Sequence, residues 1–328
     1  MRHLLGIETS CDDTAAAVVR EDMHVLSNVV ASQLDEHARY GGVVPEVASR
    51  AHASEIVPVV EAALAQAGVS GPELAGIAVT RGPGLLGSLL IGVSVAKALA
   101  LAWEVPLVGV NHLHGHVASS LLGGEELEYP CLVLLVSGGH TLLARMDGPG
   151  AMTTLGGTRD DSAGEAYDKV ARMLGLSYPG GPVVDRAARL GSAELPFPRP
   201  MLHKGLEFSF SGLKTAVGTY LRQHSDTPME DVCASFAAAV MDVLVTKITR
   251  ALEQGAFRCV AVVGGVAASP ILRERLVALS EEHGVRVVLP PARLATDNGA
   301  MIAAAGWSCL ASGEVHDLSF RPDPGLRF

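Results

Sequence analysis

Residues Leu4 to Val19, LLGIETSCDDTAAAVV, run apolar, then polar and acidic over a short turn, then apolar again. Two apolar runs of strand length around such a turn predict a hairpin. The stretch from Cys131 to Arg145, CLVLLVSGGHTLLAR, repeats the plan with Ser137, Gly138, Gly139 and His140 at its turn, so the chain carries the mark of an internal duplication. Each half then supplies a strand that ends in glycines and feeds a helix: IAVTRGPGLLGSLLIGVSVAKA from Ile77, and VAVVGGVAASPILRERLV from Val260. Strands alternating with helices predict right-handed crossovers and sheets covered by helices, an α/β class. In that class ligands bind at strand ends and helix N-termini, so a nucleotide-like ligand is expected in the cleft between two lobes.

The run from Leu107 to Val110 has strand character, and Asn111 is a good N-cap for a helix beginning at His112. A last helix is expected over Asp297 to Leu310, after the strand in VRVVLPPARLAT that Pro290 and Pro291 end. Leu195 to Phe210 is rich in Pro, Phe and basic residues and reads as a loop or short insertion; the tail from Val315 reads as coil. The most apolar long window, Leu85 to Val110, contains Lys97 and Glu104, which fits a buried helix and strand better than a membrane span.

Composition narrows the classes. With 328 residues, 48% hydrophobic and 18% charged, the chain suits a folded, enzyme-like body of about two domains. A net charge of −10 disfavours gripping nucleic acid over the whole surface, because phosphate binding relies on clustered Lys and Arg. A local patch remains open: Arg199, Lys204, Lys214 and Arg222 stand against Glu207 alone, and an ordinary solvated surface explains them equally well. Cys11, Cys131, Cys233, Cys259 and Cys309 are odd in number, scattered and never spaced C-x-x-C, which predicts neither a disulfide framework nor a structural zinc site and fits a reducing, cytoplasmic setting. Glu8 interrupts the N-terminus before any signal-length apolar run.

The segment NHLHGH concentrates three histidines. On a helix, His112 and His116 are one turn apart and share a face, while His114 points away. That spacing clamps a metal in known sites, although histidines four apart also occur by chance on solvated helices. No Glu follows His112, so the H-E-x-x-H protease version lacks its general base. Asp297, at a helix start far along the chain, is a candidate third ligand; a plain N-cap is the alternative. Two imidazoles and one carboxylate leave positions open for a substrate oxygen and suit iron or zinc.

With these residues assembled, the sequence resembles the TsaD family of tRNA N6-adenosine threonylcarbamoyltransferases over nearly its whole length. The motifs that carry the likeness are GIETSCDDTAAAVV from Gly6, GGVVPEVASRAH from Gly41, TRGPGLLGSLLIG from Thr80, NHLHGH from Asn111, LVSGGHT from Leu135, DDSAGEAYDKVARMLGLSYPGGP from Asp160, FSFSGLKT from Phe208, GGVAAS from Gly264 and TDNGAMIA from Thr296. The resemblance implies the actin-like ATPase (ASKHA) fold, with two lobes of duplicated mixed sheets flanked by helices. The expected lobes are 1–125 with 297–328, and 126–296 carrying a basic insertion around 195–215.

It also implies roles. His112, His116 and Asp297 match the family's metal ligands, for one iron per subunit, with zinc the other candidate. Asp12 and Asp13 match the acidic catalytic turn near the phosphate, where magnesium is a further expectation. Leu135, Val136, Ser137, Gly138 and Gly139 match the substrate loop, and Asp168, Gly181 and Asp185 match the positions holding the nucleoside. Where the family's G-G-V-x-A-N motif ends in Asn, this chain has Ser269, whose shorter hydroxyl cannot imitate both ends of an amide. The implied reaction moves the threonylcarbamoyl group of threonylcarbamoyl-AMP to the N6 amine of adenosine 37 in tRNAs reading codons that begin with A. Arg199, Lys204, Lys214 and Arg222 are candidate tRNA contacts. The expected partners are a TsaB-like paralogue forming a heterodimer, a TsaE-like ATPase and a TsaC-like enzyme supplying the adenylate, with no membrane. The rival readings are an ASKHA-fold kinase, a metal-dependent glycopeptidase and a non-catalytic scaffold.

Overall fold

The computed structural model describes residues 1–328. By internal contacts the chain forms two units, residues 1–126 with 296–328, and residues 127–295. In the first, β1 (His3–Glu8) and β2 (Asp13–Arg20) form the expected antiparallel hairpin, Leu4 opposite Val19 and Glu8 opposite Ala15. A third antiparallel strand, β3 (Val25–Ser32), is followed by helices α1 (Leu34–Ala38) and α2 (Pro45–Ala67). The chain then lays β4 (Gly76–Gly82) parallel to β1, crosses over through α3 (Leu86–Trp103), and adds β5 (Leu107–Asn111) parallel to β4. The sheet order is β3-β2-β1-β4-β5, and α4 (His112–Ala118) begins where β5 ends.

The second unit repeats this plan. Strands β6 (Cys131–Val136), β7 (Thr141–Gly148) and β8 (Ala151–Gly157) are antiparallel. Four helices follow: α5 (Ala163–Met173), α6 (Gly180–Ala188), α7 (Ser211–Gln223) and α8 (Met229–Gln254). Then β9 (Cys259–Val263) lies parallel to β6, α9 (Pro270–His283) crosses over, and β10 (Arg286–Val288) lies parallel to β9. The order β10-β9-β6-β7-β8 is the first sheet's order with equivalent strands substituted, the duplication that the two hairpin patterns announced. Leu132, Leu134 and Val136, alternate residues of β6, share the core with Phe236, Val240 and Leu244 of α8. The irregular segment before α7 is tied to α8 by the buried Lys247, whose Nζ donates to the carbonyls of Met201, Lys204 and Gly205 at 2.6, 2.7 and 2.9 Å. Arg250 adds bonds to Gly205 O and Leu202 O.

The chain returns to the first unit with α10 (Gly299–Ala311). Side chains on a strand alternate in direction, and the first sheet uses both faces. Leu5, Ile7, Ile77 and Val79 pack with Ile56, Val60, Val93 and Ala96 of α2 and α3. The intervening positions meet α10, which lies so close that a Cβ on Gly6 would fall 2.2 Å from Gly299 O, and one on Gly306 2.4 Å from Ala78 Cβ. Glycine at both points lets helix and sheet touch backbone to backbone. The helix starts two residues later than the sequence pattern predicts: Asn298 is its N-cap, accepting from Met301 N at 3.0 Å, so Asp297 precedes the cap and does not serve as one. Helices α3 and α8 are long and apolar enough to cross a membrane by length and composition; in the most apolar 18 residues of each, 33% of α3 and 72% of α8 is buried.

Candidate functional site

The NHLHGH segment folds as expected from its first residue. Asn111 Oδ1 accepts from Leu113 N at 2.8 Å and caps α4. His112 and His116 then lie on one face, ring centroids 4.7 Å apart and edge to face. Gly115 sets what that face meets: a Cβ there would come within 2.7 Å of Ile302 Cδ1, so its absence lets α4 lie against α10. That packing brings the residue just before the cap of α10 to the histidines. Asp297 Oδ1 is 3.2 Å from His116 Nε2 and 3.7 Å from His112 Nε2, and all three ligand atoms lie within 4.8 Å of one another.

The His116–Asp297 separation is that of two donors sharing an ion, and the His112–Asp297 separation is a few tenths of an ångström wider. Donors about 2.1 Å from a metal, at roughly 90–109° to each other, stand about 3.0–3.4 Å apart. Neither ring nitrogen of His116, a fully buried side chain, makes a hydrogen bond, and a buried polar atom left so is costly unless something else completes it. His112 is completed from behind. Its Nδ1 is 3.0 Å from Glu8 Oε2 and 3.1 Å from Ser10 Oγ, which leaves Nε2 to face the cluster. A carboxylate holding the far nitrogen of a ligand histidine fixes its tautomer and ring direction. Glu8, at the end of β1, is fully buried and also accepts from Ser10 N and from Thr80 Oγ1 at 2.6 Å. Burial would lower the basicity of His112, but the charges of Glu8 and Asp297 and the Glu8 hydrogen bond outweigh it and lift the ring to about 9 without an ion. Burial would likewise raise Glu8, yet His112's charge and hydrogen bond hold it below the usual value.

The acidic turn belongs to the same unit. Asp12 ends the β1–β2 turn and Asp13 opens β2. His52 of α2 holds the turn, its Nε2 donating to Cys11 O at 3.0 Å and its Nδ1 facing Thr14 Oγ1 at 2.7 Å. Asp13 Oδ1 is buried with no hydrogen-bond partner, and burial pushes the carboxyl up to about 7 despite the Ser32 hydroxyl. Burial, then Asp12 and Asp297, push the neighbouring Cys11 thiol far up, which leaves it no thiolate character.

In the second unit, Leu135 and Val136 close β6, and Ser137, Gly138 and Gly139 form the turn into β7. Ser137 N donates to His140 O and Ser162 Oγ to Gly138 O, at 2.8 and 2.5 Å. A Cβ on Gly138, Gly139 or Gly181 would meet nothing within 4 Å, so packing does not demand glycine there. Asp168 Oδ1 accepts from Gly180 N at 2.7 Å and so secures the start of α6 from α5. Ser269 donates to Asp185 Oδ2 at 2.5 Å and caps α9 by accepting from Leu272 N. These two candidates are therefore in contact, with the buried Tyr167 hydroxyl beside Asp185; burial raises the Asp185 carboxyl, against the Ser269 and Tyr167 hydroxyls. Among the basic candidates, Arg199 is engaged with Asp242 at 3.0 Å and Lys214 with Asp161 at 2.9 Å, whereas Lys204 and Arg222 are exposed.

A profile of the family TsaD, described as tRNA N6-adenosine threonylcarbamoyltransferase, matches residues 24–304. The chain belongs to the TsaD family. Relatives carrying that description include one from Trichlorobacter lovleyi, 54% identical over 322 residues and covering 96% of this chain and 94% of its own. Another, from Bacillus subtilis, is 49% identical over 330 residues, covering 99% and 95%. Among solved structures, component A of (R)-2-hydroxyglutaryl-CoA dehydratase from Acidaminococcus fermentans superimposes with a TM-score of 0.58 at 15% identity, over 95% of this chain and all of that one. HypF from T. kodakarensis gives 0.60 at 17%, over 94% of this chain and 48% of that one. Such distant likenesses show the fold alone, and that fold is the actin-like ATPase (ASKHA) one. Within this TsaD chain, sequence reasoning missed Glu8, Thr80 and His52, which support the site from strands and a helix. An acid ending an apolar strand, as Glu8 does in LLGIE, was the one available signal.

Proposed function

We propose that the chain transfers the threonylcarbamoyl group from threonylcarbamoyl-AMP to the N6 amine of the adenosine beside the anticodon in tRNAs reading codons that begin with A. The observation that carries the reading is the meeting of His112, His116 and Asp297 around one point, with Glu8 behind. Their two nitrogens and one oxygen would hold iron or zinc, and we assign iron. The ion would supply Lewis acidity toward the threonylcarbamoyl oxygens and fix their direction.

The remaining work falls to the chain's own groups. Glu8 keeps His112 in the tautomer that presents Nε2, so the ligand set is organised in advance. The open turn at Gly138 and Gly139 offers backbone amides to the phosphate or developing oxyanion without a side chain in the way. Asp168, Gly181, Asp185 and Ser269 hold the nucleoside, with Ser269 acting through Asp185 where relatives of the usual motif would present an amide. Asp12 and Asp13 stand near the phosphate, where magnesium belongs to the same reading. At about 7, the Asp13 carboxyl is poised to take up the proton shed when the amine attacks and AMP departs. With Cys11 held as a thiol, no covalent enzyme intermediate is required.

For tRNA, the exposed Lys204 and Arg222 are the direct contacts, and Arg199 and Lys214 brace the surface through their ion pairs. The partners are a TsaB-like paralogue, a TsaE-like ATPase and a TsaC-like supplier of the adenylate, in the cytoplasm. Leu86, Leu90 and Leu101 of α3, each more than half exposed, give the paralogue an apolar face. The test is reconstitution: wild-type chain with the TsaB-like and TsaE-like proteins, tRNA and synthetic threonylcarbamoyl-AMP should yield threonylcarbamoylated adenosine and AMP in equal amounts. Release of AMP with unmodified tRNA would overturn the proposal.

A further inference from the structure

The tail after α10 is coil, yet it follows a defined course. β5 is the edge strand of its sheet, and an edge leaves a row of backbone groups without partners. The tail takes them up. His316 N donates to Leu107 O at 2.8 Å, and Gly109 N donates to His316 Nδ1 at 3.3 Å. Phe320 packs on the face formed by Arg81, Gly109 and Lys97, with Lys97 Nζ 4.7 Å from its ring centre. Asp323 N donates to Arg81 O at 2.7 Å and Gly84 N to Pro324 O at 3.3 Å. The tail lies so near β4 here that a Cβ on Gly82 would fall 1.8 Å from Asp323 O.

From there the tail reaches α4. Asn111 Nδ2 donates to Arg327 O at 3.0 Å while its Oδ1 caps the helix, so one side chain joins tail to helix start. Phe328 stacks on His114, centroids 5.2 Å apart and planes 24° apart. His114 sits between the two ligand histidines in sequence, and its Nε2 is buried without a hydrogen bond, so the ring is held by this stacking. A helix of seven residues has under two turns of its own hydrogen bonds and needs outside support to keep its direction.

We infer that residues 316–328 form a strap that positions the metal centre, by fixing the start of α4 through Arg327 on Asn111 and its outer face through Phe328 on His114. The strap's contacts with the start of α4 are to Asn111 and His114. It sets the rotation of α4, and with it the direction in which His112 and His116 present Nε2 to Asp297. The inference rests on the metal reading above and deepens it. Removing a group that orients a ligand commonly weakens metal affinity about 10–100-fold.

The experiment is a cobalt(II) titration of the full chain, followed by visible absorption, on wild type, Phe328→Ala, Phe328→Tyr and a chain ending at Pro324. Thermal unfolding in chelator is measured for each. The strap account expects a roughly 10-fold weaker Kd and an altered cobalt band for Phe328→Ala, a larger loss for the shortened chain, and recovery of both in Phe328→Tyr, whose ring still stacks. Should the shortened chain unfold, the Ala and Tyr pair decides. Wild-type affinity and spectrum in Phe328→Ala would overturn the strap while leaving the metal centre standing. Failure of the wild type to bind cobalt would overturn the metal reading and the strap with it.

Discussion

Glu8 is the residue on which the geometry of the candidate centre turns. Its carboxylate meets Ser10 N, Thr80 Oγ1 and His112 Nδ1, so changing it alters the ligand rather than the ion's own shell. Glu8→Gln keeps the size and removes the charge. It should weaken metal binding about 10–100-fold with little change in fold, read as Kd by titration in competition with a chelator. An unchanged Kd would remove Glu8 from the account. Asp13 gives a pH signature. Its carboxyl is raised from 3.8 to about 7 in the folded protein, so between those values the native state binds more protons than the unfolded chain. Its contribution is therefore full below about pH 4 and is lost as pH rises toward 7. Denaturant unfolding of metal-free protein should show a stability loss across that window that is flattened in Asp13→Asn; parallel curves would contradict it. At this scale the histidine pair was legible because helical spacing is periodic. Glu8 and Thr80 were not, because strand positions say nothing about which distant side chain they face, and Asp297 was found only as a helix start, with Asn298 proving to be the cap.

The pairing of α4 and α10 brings candidate ligands 181 positions apart in sequence, His116 and Asp297, within 3.2 Å of each other. That pairing depends on a missing side chain at Gly115 toward Ile302, and the seat of α10 on β1 depends on one at Gly6 toward Gly299. At Gly115 a new Cβ would meet the end of a flexible side chain, which can move. At Gly6 it would meet backbone, which cannot move without shifting α10. Gly6→Ala should therefore destabilise by about 3 kcal/mol or more, the upper range for an overpacked core, lowering Tm by several degrees and loosening metal binding together. Wild-type Tm in that variant would contradict the close approach. The hairpins, the crossover strands, β5 and the start of α4 were readable from period and caps. The 26-residue α8 was not marked, since a helix buried on most sides loses the one-sided apolar stripe that periodic reading needs. The course of the strap was equally hidden, because its bonds are backbone bonds to an edge strand and leave no pattern in composition.

Across the whole chain, duplication explains why sequence reading carried far. Two five-stranded sheets share one strand order, so each hairpin pattern identified its counterpart and the α/β class followed. The candidate residues are divided between the copies: His112, His116, Asp297 and the acidic turn lie in the first unit, and the glycine turn, Asp168, Asp185 and Ser269 in the second. The chain's net charge of −10 disfavours a grip on nucleic acid over its whole surface. The central claim is that one ion, held by His112, His116 and Asp297, is needed for transfer. The direct measurement is metal content and threonylcarbamoyl transfer on the same preparations of wild type, His116→Ala and Asp297→Ala. The account predicts one ion per chain and active transfer in the wild type, with both lost in each variant. Full transfer by variants that have lost their metal would contradict it.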